Sequence, residues 1–251
     1  MLRSVKEIFG YVLNAKDGEI GRCKDFLFDD EAWTIRYMVA DTGRWLPGRR
    51  VLVSPIALGE PDWPSRRFPV RLTKNQIEEA PGLHEDAPVS RQYEMNWTRY
   101  YGWPYYWTGS ALWATGDYPD ELFLQKELAE AAAEEEKMNE ADCHLRSVKE
   151  VTGYHIQATD TEIGHVEDFI LDDRTWTLRY MVVDTRNWLP GRKVLVSPVW
   201  IDSLDWGEAK VFVDLDSNRI KSSPEYNPST PVNREYEERL YDFYGRPRYW
   251  R

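Results

Sequence analysis

The chain has 251 residues, 42% hydrophobic and 30% charged, and carries a formal net charge of −11. That balance excludes a disordered chain. Its arginines are interleaved with acids, as in Arg234-Glu235-Tyr236-Glu237-Glu238-Arg239, so no basic block offers itself to a nucleic-acid backbone.

From the N-terminus, no apolar run approaches the ~20 residues that cross a bilayer, and Met1-Leu2-Arg3-Ser4-Val5-Lys6 lacks the apolar core of a signal peptide. A cytoplasmic location is the expectation. Ser4 followed by Glu7 has the spacing of a capping box and predicts a short helical turn. Gly10 to Leu13 reads as a first strand, Asp17-Gly18 as a tight turn, and Ile20 to Phe28 as the returning strand. Thr34 to Asp41 alternates Ile35, Tyr37 and Val39 against Thr34, Arg36 and Met38, the pattern of a half-buried strand. Arg50 to Ser54 is a short strand ended by Pro55, and Phe68 to Leu72 is another. Thr73 opens a final helical turn, and Pro81 to Pro88 is an extended connection. Tyr93, Trp97, Tyr100 and Tyr101 then fall at helical spacing, with Gly102 as the stop. Glu121 to Asp142 is rich in Glu, Ala, Lys and Leu and predicts a connecting helix, with Leu122, Phe123, Leu124 and Leu128 as its docking face if it has one.

After that linker the pattern begins again. Leu2-Arg3-Ser4-Val5-Lys6-Glu7 returns as Leu145-Arg146-Ser147-Val148-Lys149-Glu150, and the 143-residue offset holds without a gap to Tyr106-Trp107 and Tyr249-Trp250. The copies share Trp33-Thr34 with Trp176-Thr177 and Val51-Leu52-Val53-Ser54-Pro55 with Val194-Leu195-Val196-Ser197-Pro198. In the second, Asp216 opens the helical turn, Pro224 to Pro231 is the connection, and Tyr236, Leu240, Phe243 and Tyr244 form the stripe before Gly245. A period this long means two whole domains. The expected fold is mainly β: two small closed or nearly closed barrels in tandem, over 1–81 and 145–224, with aromatic tails over 82–107 and 225–251 and an acidic helical linker over 108–144.

Each copy, over about 3–81 and 146–224, resembles the PRC-barrel family. The residues that carry the resemblance are Gly10-Tyr11 and Gly153-Tyr154, Glu19-Ile20-Gly21 and Glu162-Ile163-Gly164, Asp25-Phe26 and Asp168-Phe169. They continue through Ile35 to Val39, Leu178 to Val182, and the closing Leu-Val-Ser-Pro at Leu52 and Leu195. The resemblance implies a small β-barrel of the kind found in the cytoplasmic domain of the photosynthetic reaction-centre H subunit and in a ribosome maturation factor, where it binds macromolecules and holds no catalytic centre. It also implies a protein partner or self-association. A peripheral place on a reaction-centre-like membrane complex is the second reading, and a ligand-binding or enzymatic cleft between the barrels the third.

Few residues stand out as chemistry. Trp45, Pro47 and Arg49, repeated as Trp188, Pro190 and Arg192, combine two residue types enriched at binding hot spots with a Pro-Gly turn, and they are the candidate partner-binding residues. Asp29-Asp30 and Asp172-Asp173 lack the further ligands of a calcium loop, and acid chemistry by Asp25 with Asp168 is the weaker reading; turn residues at the end of a strand explain these acids better. His84, His144, His155 and His165 have no metal-ligand spacing, and Cys23 and Cys143 occupy non-equivalent places, as two reduced thiols would. With no nucleophile elbow, phosphate loop or Cys/His pair, neither enzymatic activity nor a cofactor nor a metal is expected.

Overall fold

The computed structural model describes residues 1–84, 86–124, 143–185 and 192–250. In chain order its elements are β1 (Leu2–Ser4), α1 (Val5–Ile8), β2 (Val12–Ala15), β3 (Gly18–Asp29), β4 (Thr34–Asp41), β5 (Val51–Val53), β6 (Arg67–Pro69), α2 (Lys74–Glu79), α3 (Arg91–Tyr101) and α4 (Pro119–Leu124). The second copy continues with β7 (Leu145–Ser147), α5 (Val148–Val151), β8 (His155–Gln157), β9 (Glu162–Asp172), β10 (Thr177–Asp184), β11 (Lys193–Val196), β12 (Ile201–Asp205), β13 (Lys210–Val213), α6 (Ser217–Ser222) and α7 (Arg234–Tyr244). A 3-10 turn follows β5 at Pro55–Ala57, and another follows β11 at Pro198–Trp200.

The chain forms two compact units, and their borders do not follow the borders of the repeat. The first-copy unit consists of Ile8–Ser147 with Arg174–Thr177; the second-copy unit consists of Met1–Glu7, Val148–Asp173 and Leu178–Arg251. Each unit therefore takes its N-terminal strand from the other copy.

In the first-copy unit the 12-residue β3 is the axis. It pairs antiparallel with β2 across the Asp17-Gly18 turn and with β4 on its other edge, while β5 extends β4 and β6 lies parallel to β2. The far end of β3 receives the exchanged β7, in the register Leu27↔Ser147, Phe28↔Arg146 and Asp29↔Leu145. Leu13, Phe26, Phe28, Ile35, Met38, Val53 and Phe68 fill the interior with little or no exposure.

The expected barrel closure is not what the hydrogen bonds show: the mixed sheet is open. Between the β5 and β6 sides, the Leu58↔Val70 bridge stands outside the named strands, flanked by Gly59 N–H to Pro69 C=O and Arg71 N–H to Ala57 C=O. Pro55 ends β5 after three residues and Pro69 has no N–H to offer, so neither edge can run on into a ladder.

A second difference concerns β4. The alternation suggested one solvent face, yet Thr34 to Ala40 are all buried. Tyr37 is covered by Trp97 of α3, edge-on at 5.2 Å, and Arg36 lies under the rings of Tyr106 and Trp113 at 4.0 and 4.8 Å. The tail helix thus docks on its own unit, and burial of Trp97 contributes about 1.5–3 kcal/mol.

The second-copy unit repeats the plan. β9 pairs antiparallel with β8 and lies beside β10, β11 extends β10, β13 runs parallel to β8, and β12 closes a hairpin on β13. The exchanged β1 lies on β9 as Leu2↔Asp172, Arg3↔Leu171 and Ser4↔Ile170, the same register that β7 takes on β3. Backbone detail recurs too: left-handed Trp33 and Arg66 return as Trp176 and Ala209. Gly21 and Gly164 are obligatory in both copies, since a Cβ would stand 2.1 and 2.0 Å from the carbonyl oxygens of Asp41 and Asp184.

The helical starts and stops read from the sequence are present. Glu7 N–H donates to Ser4 Oγ at 3.4 Å, Thr73 and Gln76 form a reciprocal capping box on α2, and Asp216 caps α6. Gly102 and Gly245 end α3 and α7 in the left-handed conformation. α4 packs on the Pro55–Ala57 turn with Leu122 fully buried; Leu128 and the rest of the expected linker helix lie outside the described residues.

Candidate functional site

The loop after β4 is held at its base and open at its tip. Arg49 spans back to the C-terminus of α2, where its guanidinium donates to the carbonyls of Glu78 at 2.6 Å, Ile77 at 3.2 Å and Ala80 at 2.5 Å. These are carbonyls that a helix end leaves without intrahelical partners, and a cation there also meets the negative end of the helix dipole. Arg50 N–H donates to Leu83 C=O, so the strap after α2 fixes the other side of the loop. Trp45 is half-buried with Lys74 Nζ 4.7 Å from its ring centroid, while Pro47 and Gly48 are exposed. In the second-copy unit Arg192 likewise donates to Ser223 C=O, at the end of α6. Trp188 and Pro190 lie outside the described residues. Of the candidate residues, then, Arg49 clamps α2 to its loop, Arg192 reaches the end of α6, and in the first loop Trp45 is half-buried and Pro47 exposed.

The structure brings together a second set that the sequence did not single out. In the first-copy unit Glu94, on the inner face of α3, has no exposure. It accepts from Tyr106 Oη at 2.9 Å and from Arg91 Nη1 at 3.3 Å, and Tyr37 bonds to it as well. Tyr106 Oη also meets Arg91 at 3.1 Å and His144 Nε2 at 2.8 Å. Beside it Arg36 pairs with Asp29 at 3.0 Å and donates to Leu112 C=O at 2.5 Å.

The second-copy unit repeats Asp29, Arg36, Tyr37, Arg91, Glu94 and Tyr106 at the 143 offset, while His144 and Leu112 have no counterpart there. Glu237 accepts from Tyr180 and Tyr249, both at 2.7 Å, and pairs with Arg234 at 3.0 Å; Arg179 pairs with Asp172 at 3.3 Å and lies 4.2 Å from the Tyr249 ring. In each copy the cluster locks the C-terminal aromatic pair, Tyr106-Trp107 or Tyr249-Trp250, onto the sheet.

Burial sets the electrostatics of these groups. It is the largest influence on Glu94, whose carboxyl is pushed up to about 7 although Arg91 and the Tyr106 and Tyr37 hydroxyls favour the anion. Burial also drives the Tyr37 and Tyr106 hydroxyls well above their ordinary value, with the Glu94 charge adding to it. Asp29 goes the other way: burial opposes its charge, but Arg36 and the N–H groups of Ala32 and Glu31 together hold it below the usual range. His144 has a structural place here as a buried partner of Tyr106, which its lone occurrence in the sequence did not suggest.

The acids once weighed for chemistry have structural partners. Asp25 and Asp168 accept the hydroxyls of the exchanged strands, Ser147 and Ser4 respectively, each at 2.5 Å. Asp30 and Asp173 accept Arg146 Nε and Arg3 Nε, each at 2.8 Å. Asp29 closes the turn by accepting from Glu31 and Ala32 N–H. Among the described residues no group of three or more His, Cys, Asp or Glu side chains is placed to hold a metal ion, and no helix is long and apolar enough to cross a membrane. A cavity of about 320 Å³ in the first-copy unit is walled by Lys16, Arg71, Tyr100, Tyr101, Trp103 and Phe123.

Residues 145–220 match the family model of the PRC-barrel domain. The match begins at β7 and ends in α6, so it spans the second copy up to its helical turn. No curated protein matches the chain.

Proposed function

We propose, from the PRC-barrel match over 145–220 and the 143-residue repeat, that the chain is a non-catalytic assembly protein of two PRC-type modules in tandem, binding a protein partner or itself. The partner-binding residues in this reading are Trp45 and Pro47 with their counterparts Trp188 and Pro190. Arg49 serves as the clamp that ties the first loop to α2. One observation carries it: Arg49 ties the first loop to three carbonyls at the end of α2, and Lys74 lies over Trp45. A loop already fixed in its binding shape loses little conformational freedom on association. Two such loops in one chain would add avidity if both reach the same partner or assembly. The buried carboxylates support the same reading, since in both copies they hold strands and tails together.

The test is a Trp45→Ala, Trp188→Ala double variant compared with the parent chain by affinity capture and by sedimentation. Loss of a hot-spot aromatic at each loop is expected to weaken the partner complex or self-association by about tenfold or more, with far-UV circular dichroism unchanged. An unaltered set of captured proteins together with an unaltered sedimentation profile would remove the proposal.

A further inference from the structure

The two copies share a scaffold but differ in what lies on it. In the first-copy unit, residues after the aromatic tail fold back as a cover. Leu112 C=O accepts from Arg36, Trp113 packs on Arg36 and Tyr106, Ala114 N–H donates to Tyr106 C=O, and α4 seats on the Pro55–Ala57 turn. Beneath that cover Ile56 is 3% exposed and Tyr106 5%. At the equivalent places of the second-copy unit Val199 is 76% exposed and Tyr249 36%. These positions belong to one face: Trp200, next to Val199, meets Tyr241 at 5.3 Å, and Tyr241 meets Tyr249 at 6.1 Å.

The geometry points to this face of the second-copy unit as a docking surface for a segment of another protein shaped like the first copy's cover: an extended stretch with a tryptophan, followed by a short acidic helix with one apolar side. This goes beyond the loop reading and uses different residues. Three observations fix the occupant's chemistry. The receptor is already built, because Arg179, Asp172 and Tyr249 stand as Arg36, Asp29 and Tyr106 do, with ring distances of 4.2 and 4.0 Å. The exposed Val199 stands where Ile56 stands in the turn that α4 packs on, so an apolar helical side chain fits it. The third is the cover's own composition: residues 109–124 hold Asp117, Asp120 and Glu121 and no Lys or Arg, and the arginines beside the face, Arg234 and Arg248, are half-exposed while paired with Glu237 and with Asp242 and Glu238. An exposed β-branched side chain beside packed aromatics is an apolar surface that association would remove from water.

The probe is the chain's own cover, a fluorescently labelled peptide of residues 109–124, titrated into the intact protein and followed by anisotropy. Saturable binding is expected. Val199→Asp, at a position 76% exposed, should weaken it by about tenfold or more by placing an acid against the acidic helix, with far-UV circular dichroism unchanged. The Trp113→Ala peptide should lose affinity by a similar factor, about tenfold, if that indole is the anchor. Binding that Val199→Asp leaves unchanged, or no saturable binding by the parent peptide, would overturn the inference. Should sedimentation show instead that the parent chain pairs with itself through Val199, and the peptide does not displace that pairing, a second copy is the occupant and the proposed partner is wrong. Trp45→Ala should leave peptide binding as it is, which separates this surface from the loops.

Discussion

Glu94→Ala is expected to destabilise the first-copy unit by about 3 kcal/mol, because removal of one member of a buried charged cluster leaves the others without partners. Arg91, Tyr106 and Tyr37 all bond to that carboxylate, and water does not reach it to take its place. The loss should appear as a lower urea midpoint for the first-copy unit and faster amide exchange in α3 and β4. Glu94→Gln keeps the shape and part of the bonding, so it should cost less. It should also change the pH response. The Glu94 carboxyl has an ordinary value of 4.5 and is pushed up to about 7 in the fold, so between those values the folded chain holds a proton that the unfolded chain has released. Its contribution to stability therefore falls as pH rises from about 4.5 to about 7, by up to about 3 kcal/mol. That segment of the pH profile should flatten in Glu94→Gln. An Glu94→Ala chain with the parent's urea midpoint would show that the cluster contributes nothing.

The second large effect concerns the exchanged strands. A chain beginning at Val5 lacks β1, together with the Ser4–Asp168 and Arg3–Asp173 bonds. Hydrogen bonds to charged acceptors contribute about 1.5–3 kcal/mol each, so the expected loss is about 3 kcal/mol or more. The location of that loss matters more than its size. It should fall on the second-copy unit, read as lost exchange protection at Ile170 to Asp172, while Leu27 to Asp29 keep theirs. The neighbouring electrostatics agree with a buried seat for this strand, since burial raises Asp168 despite the bonds from Ser4, Lys6 and Phe169.

Features set by neighbours in sequence were legible before the structure. The capping residues Ser4, Thr73 and Asp216 and the stop residues Gly102 and Gly245 act within a turn or two of helix, while of the expected aromatic stripe Trp97 and Tyr101 are buried and Tyr100 is 40% exposed. The repeat was legible too, because it needs only comparison of the chain with itself. Three things were not. Strand exchange left no trace, because Leu-Arg-Ser-Val-Lys-Glu is identical in both copies and each receiving strand offers the same Asp pair. Barrel closure depends on whether β5 and β6 meet at their edges, which a count of strands does not say. The sequence does not single out Glu94 and Glu237, because their burial depends on Tyr37 and Tyr106, or Tyr180 and Tyr249, arriving from distant segments. A signal did exist: Asp29, Arg36, Tyr37, Arg91, Glu94, Tyr106 and Trp107 all recur with identical residue type at the 143 offset, although surface charges elsewhere, such as Arg71 and Asp214, do not. As for the loop residues, their type suggested binding, whereas Arg49 turns back to α2 through bonds to residues about thirty positions away, which residue type does not encode.

The exchange of N-terminal strands is the claim on which the two-unit description rests, and paired cysteines test it most directly. In a Cys23→Ala, Cys143→Ala background, Leu2→Cys is combined either with Asp172→Cys, its partner across the β1–β9 ladder, or with Asp29→Cys, the equivalent position in its own copy. Antiparallel partners have Cα atoms about 4.5–5.5 Å apart, within disulfide reach. Mild oxidation should close the 2–172 bridge within single chains and leave the 2–29 pair reduced; an intrachain 2–29 bridge with 2–172 left open would contradict the exchange.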